Sequence, residues 1–191
     1  MAALLAAALC LGWSAEATAQ IKQPGAHARY SLELEPHLFI QHHRSWFGDD
    51  EGFGPGVRFS IPLVHNGPIP TINNNFGISV GLDWAMFDDC DGRFTDDDCD
   101  VDHVWIPVVF QWNFFFTRVV SVFGEVGPAI VYRSISLDGG CPSFGDDCDD
   151  DDLELFEPVF WGGGRFLFSD SVGLVVRLGT PAVTVGATFL L

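Results

Sequence analysis

No uninterrupted apolar run in the chain approaches the ~20 residues that a membrane-crossing helix needs. Any crossing would have to be made by strands. Basic residues are scarce: nine Lys and Arg stand against 26 Asp and Glu, a formal net charge of −17. That sign excludes nucleic acid, itself a polyanion, as a partner. The cysteines show no zinc-knuckle spacing, and no residues are spaced as a nucleophile with its base. Yet 48% of the residues are hydrophobic and the mean hydropathy is +0.23. In 191 residues, a length that suits one domain, charge and apolar surface must occupy separate places.

What the chain does have is alternation. From Val183 to the end every second side chain is apolar (Val183, Val185, Ala187, Phe189, Leu191), with Thr184, Gly186, Thr188 and Leu190 between them. That is the period of a strand. The same period runs through Tyr30–Gln41, Phe53–Leu63, Phe76–Met86, His103–Thr117, Val120–Ser134, Leu153–Phe168 and Val172–Leu178. The pattern predicts about eight strands, most near the ~9–11 residues that cross a tilted barrel wall. Gly162, Gly163 and Gly164 could hold a bulge that resets the register of their strand.

Long polar connections alternate with short ones. His65–Asn75 is a turn by its Pro, Gly and Asn content, and tight turns fall near Thr117-Arg118 and at Ser169–Ser171. The other connections are polar loops at His42–Glu51, Asp88–Asp102 and Ser136–Asp152. These hold three, eight and seven acidic residues, 18 of the 26, but only Arg44 and Arg93 as basic residues. An up-and-down antiparallel order puts all three at one end, so the excess charge collects there.

The polar face of the strands carries Glu33, Glu35, His37, Arg58, Asp83, Glu125, Arg133, Glu157, Arg165 and Arg177. A barrel of about eight strands is just wide enough for side chains to fill. Charges enclosed there must pair, because an unpaired buried charge is costly. A narrow ion path is the functional alternative. The other face is apolar, including Phe110, Trp112 and Phe114. Tyr30, Trp84, Phe87, Trp105, Phe115, Phe116 and Tyr132 fit interfacial girdles at strand ends. A secreted, soluble, lipocalin-like carrier of a small apolar ligand predicts the same alternation with the faces exchanged. It would have to pack the broad apolar face into too small an interior.

Thr184, Gly186, Phe189 and Leu191 resemble the C-terminal assembly signal of bacterial outer-membrane β-barrels, with Leu191 where that family usually ends in Phe. Together with the strand pattern, the chain resembles the transmembrane barrel of outer-membrane protein A and its relatives over residues 29–191. The resemblance implies a transmembrane barrel in the outer membrane, in contact with its lipid and lipopolysaccharide and inserted by the barrel-assembly machinery. Residues 20–28 become a periplasmic lead, and the acidic loops become extracellular. Met1–Ala19 reads as a signal peptide cleaved after Ala17-Thr18-Ala19. Cys10 would suit lipidation only after a small residue, and Leu9 stands there.

In an exported chain Cys90, Cys99, Cys141 and Cys148 imply disulfides. Three pairings exist, and the short spacings favour Cys90–Cys99 and Cys141–Cys148. Asp88, Asp89, Asp91, Asp96, Asp97 and Asp98 offer the hard oxygen ligands that Ca²⁺ takes, without the spacing of an EF-hand; the alternative is a solvated, self-repelling run. No other cofactor is expected. His42, His43 and His103 with Ser45 could serve a lipid-modifying site, as in some small outer-membrane barrels, but their spacing does not mark one. The sequence reading is a non-enzymatic barrel with a structural or surface-interaction role and an unidentified external ligand.

Overall fold

Strands with one apolar and one polar face are stable only if both faces find a suitable medium and no backbone edge is left open. A computed structural model shows how this chain does so. It describes residues 19–45, 48–87, 99–137 and 150–191, and side chains within them except at 42–51, 99–101, 135–137 and 150–152. The strands are β1 (Glu33–Ser45), β2 (Gly48–Val64), β3 (Asn74–Phe87), β4 (Cys99–Phe115), β5 (Val120–Leu137), β6 (Asp150–Leu167), β7 (Val172–Thr180) and β8 (Ala182–Leu190). Each pairs antiparallel with its sequence neighbour and β8 returns to β1, closing the barrel.

The exterior is the apolar face. Leu38, Phe59, Val80, Leu82, Phe110, Val126, Phe160, Leu174 and Val185 are all exposed. So broad an apolar surface does not survive in water. It is also the opposite of what a soluble ligand carrier needs. Indole N–H groups mark its margins: Trp84 Nε1 donates to Asp102 Oδ1 at 2.8 Å near the loop end, and Trp112 Nε1 donates to Asn74 Oδ1 at 3.0 Å near the turn end. An aromatic ring with a polar edge suits such a boundary.

Hydroxyls and amides close the short turns. Thr117 Oγ1 accepts from the Val119 and Val120 amides at 3.1 and 2.9 Å, and Ser169 Oγ accepts from the Val172 amide at 3.1 Å. Asn74 Nδ2 donates to the carbonyls of Ile69 and Ile72, each at 2.8 Å. Segment 19–32 runs across this end. The Gln20 amide donates to the Phe116 carbonyl at 2.6 Å, the Asn73 amide to the Ile21 carbonyl at 2.7 Å, and the Ser31 amide to the Leu191 carbonyl at 2.6 Å. The lead expected at 20–28 is therefore bonded to the barrel end.

Three details depart from the sequence reading. First, the strands are longer: β2 and β4 have 17 residues, and β5 and β6 have 18. The polar stretch His42–Glu51 is mostly strand, with Arg44 opposite Asp49. Once strands rise past the apolar belt their side chains no longer alternate, while the backbone ladder continues. Second, the triglycine keeps register, Val122 opposite Gly164 and Gly124 opposite Gly162. The bulge lies higher, where Leu155 and Phe156 together face Ile130, just above the facing prolines Pro128 and Pro158. Neither proline can donate to the ladder. Third, Tyr30, Phe87, Trp105 and Phe115 are buried inside instead of joining a girdle. Phe87, Trp105 and Phe115 have the parity of the inward face, which strand-end position alone did not reveal. Tyr30 has the outward parity of β1 but precedes that strand, and its hydroxyl accepts from Asn75 Nδ2 at 3.1 Å.

Candidate functional site

Among the described residues the largest convergence of ionisable side chains is in the interior. Glu33, Glu35, His37, Arg58, Asp83, Glu125, Arg165 and Arg177 are all buried. They come from six strands, each held inward by its position in the pleat. Arg177 on β7 sits at the hub. Its Nε donates to Glu125 Oε2 at 3.0 Å and its Nη2 to Glu35 Oε2 at 2.7 Å, while Nη1 contacts Glu35 Oε1. Arg58 on β2 shares Glu125, with Nη1 3.0 Å from Oε2, and reaches Asp83 Oδ2 through Nη2 at 3.1 Å. Gln111 occupies the remaining Glu125 oxygen at 2.7 Å.

A second cluster lies nearer the turns. Arg165 grips Glu33 with both prongs, Nε at 2.8 Å and Nη2 at 2.6 Å. Thr188 Oγ1 donates to the same carboxylate at 2.6 Å. A fork-to-carboxylate pair of this kind gains geometry as well as energy. His37 belongs to the first cluster, its Nε2 2.7 Å from Asp83 Oδ1 and its Nδ1 3.1 Å from the Glu35 carbonyl. Asn113 links the two clusters, donating to Gln111 Oε1 at 3.0 Å and accepting from Arg165 Nη1 at 3.4 Å. The set holds four carboxylates, three guanidiniums and the His37 imidazole. Ring faces complete the shell, with the guanidinium carbon of Arg58 4.7 Å from the Trp161 ring centre and that of Arg177 4.9 Å from Phe123.

Arg133 and Glu157 belong to a separate pair near the loop end. Both are half-buried, and Arg133 bonds Glu154 at 3.0 Å and Glu157 at 3.2 Å. The bulge makes this possible. Three residues apart on a regular strand, Glu154 and Glu157 would face opposite ways; the extra residue turns both toward Arg133.

The sequence reading did not single out the layer above the charges. Phe39, Ala85, Phe87, Trp105, Val109, Ala129, Val131, Val159, Trp161 and Ala182 form one buried cluster inside the barrel. Its signal was available: these residues share the inward parity of the charged ones. Trp105 and Trp161 satisfy their indole N–H groups on Gln41 Oε1 at 3.0 Å and the Ala182 carbonyl at 3.2 Å. Charged and apolar layers together fill the described lumen with side chains.

The remaining candidates are scattered. His103 lies inside, 3.3 Å from Gln41 Oε1 and tilted against Phe87, away from any rim site; the side chains of His42, His43 and Ser45 lie outside the described residues. So do Cys90, Cys141 and Cys148, the Cys99 side chain, and Asp88, Asp89, Asp91, Asp96, Asp97 and Asp98. On β8, Thr184 is buried, while Phe189 is half-buried and Leu191 exposed on the outer face. Gly186 packs against Pro36 and His37 of β1 so closely that a Cβ would strike the Pro36 carbonyl.

No protein-family model matches the chain, and no curated protein matches it in sequence. Among solved structures, the attachment invasion locus protein Ail of Yersinia pestis superimposes with a TM-score of 0.53 at 11% identity, covering 84% of this chain and 99% of Ail. Neisserial surface protein A, NspA, gives a TM-score of 0.53 at 10% identity, covering 84% of this chain and 97% of NspA. At such identities the likeness is one of fold: a small, closed, eight-stranded, up-and-down barrel of the kind found in outer membranes.

Proposed function

We propose that the protein is an outer-membrane barrel that acts as a rigid, non-conducting and non-enzymatic platform for its acidic outer loops. The observation that carries this reading is the inversion of the wall, with apolar side chains outward and ion pairs and rings filling the interior. A plugged lumen leaves the loop end as the place for recognition. Strands of 17 and 18 residues lift that end well beyond the apolar belt. The two neighbours named for attachment and for the cell surface fit a surface-interaction role. On this reading residues 1–19 direct export and are cleaved, lipid and lipopolysaccharide surround the wall, and the barrel-assembly machinery receives β8. The loop cysteines form disulfides that order the aspartates, which bridge to partners through divalent cations such as Ca²⁺.

The test pairs two measurements on the detergent-folded protein. Planar bilayers should show no steps of conductance, and Ca²⁺ should raise the unfolding midpoint in a way that reduction of the cysteines weakens. Steady conductance would replace the platform with a pore. An unchanged midpoint would leave the platform but remove its cations.

A further inference from the structure

Glycine weakens a strand, having no side chain to pack and more freedom to lose. Most glycines in this wall are explained by crowding. A Cβ at Gly54, Gly127 or Gly179 would run into the carbonyl of Trp84, Val108 or Phe160. Gly124 on β5 and Gly162 on β6 are different: a Cβ at either would meet nothing within 4 Å. Neither has a positive φ. They lie opposite each other on the outer face, so side chains are missing at two adjacent points of the apolar belt, with Gly164 next along β6 on the same face.

The result is a cavity of about 460 Å³ open to the exterior. Phe76, Phe110, Trp112, Phe114, Val126 and Phe160 wall it, and the glycine backbones form its floor. Trp112 is the direct β4 neighbour of Gly124 and could have folded over it, but its indole is turned to Asn74. On β5 the flanking same-face residues Val122 and Val126 are four residues apart, ~13 Å along the strand. On β6 Phe160 closes the loop side, while Gly164, opposite Val122, leaves the turn side open. Across them it spans two strands about 4.8 Å apart. That is the shape of a slot for one polymethylene chain.

We propose that this slot holds an acyl chain of a phospholipid from the periplasmic leaflet. Its position favours that source. Gly124 is four residues from the start of β5 at the turn end, whereas the exposed apolar face of β5 continues to Tyr132. The slot is therefore in the half of the belt nearer the turns. Arg118, exposed in the β4–β5 turn, lies two residues before β5 begins at Val120, and the strand from there to Gly124 is about 13 Å long. A guanidinium at that depth meets a lipid phosphate. The inference rests on the wall lying in a bilayer and is independent of what the loops bind.

The test uses the full barrel in vesicles of phosphatidylethanolamine and phosphatidylglycerol containing a trace of phosphatidylglycerol with a diazirine on one acyl chain. After illumination, adducts are mapped by mass spectrometry. Adducts on the slot residues of β3 to β6 should exceed those on the outer face of β2 and β8 by at least about threefold, a modest affinity difference. In Gly124→Val/Gly162→Val the excess should vanish, and Arg118→Glu should reduce it. Heat-dependent gel migration reports that each variant is folded, and the wild-type labelling profile decides the matter if one is not. Even labelling around the wild-type wall would overturn the proposal, as would an excess unchanged in a folded double valine variant. Barrel-to-barrel adducts at the slot would overturn it in favour of a second copy.

Discussion

Toward the turn end the interior of the barrel is ionic; toward the loop end it is apolar. On β1 the change comes between His37 and Phe39, on β3 between Asp83 and Ala85, and on β5 between Glu125 and Ala129. Both layers fill space, but they fail differently. In the ionic layer each charge is balanced by specific neighbours, so one loss strands another charge in a place without water. In the apolar layer the contacts are non-directional, and a swap that nearly keeps volume is tolerated. One layer specifies the register of the wall, and the other excludes water above it.

The largest expected effect follows from the hub. Arg177→Ala leaves Glu35 and Glu125 short of their guanidinium, and breaking a buried pair in this way costs about 3–5 kcal/mol. Urea unfolding from detergent or vesicles should show a loss of that order. Phe39→Leu, in the layer above, removes a ring but keeps a large apolar side chain, and should cost no more than ~1.5 kcal/mol. If the leucine variant proved the weaker of the two, the contrast between the layers would be wrong.

The same contrast explains what could be read in the sequence. Charged residues stand out against an apolar background, so parity alone picked Glu33, Arg58, Asp83, Glu125, Arg165 and Arg177 as sharing a face. Phe39, Val131 and Val159 have the same parity but look like their outward neighbours, and they were not distinguished from the belt. Strand ends were hidden for a related reason. Above the belt neither face must be apolar, so the ladder through Arg44 and Asp49 has a loop-like composition. The bulge followed from paired prolines on adjacent strands, a relation that exists only once β5 and β6 are in register. Which oxygen each guanidinium takes is likewise a property of the closed barrel.

A third environment, below the ionic layer, sharpens the comparison by having a buried titratable group without a countercharge. His27 stacks on Phe115 with ring centres 4.1 Å apart, and its Nδ1 lies 2.6 Å from Asn73 Oδ1. Its Nε2 is buried without a hydrogen-bond partner. Burial pushes the imidazole below its ordinary range, the Asn73 hydrogen bond opposes that, and the nearby positive groups His65 and Arg29 add to the lowering. The folded state thus binds this proton less readily than the unfolded chain does. Its contribution is fully present above the ordinary histidine value of about 6.5 and declines as the pH falls below it. Lowering the pH from about 7.5 to about 5, above the ordinary carboxylate range, should reduce the unfolding midpoint. His27→Phe, which can keep the stack on Phe115, should flatten that decline. Equal pH slopes for the two proteins would mean that segment 19–32 releases His27 to water before the barrel itself unfolds, and that this end is held less firmly than the layers above it.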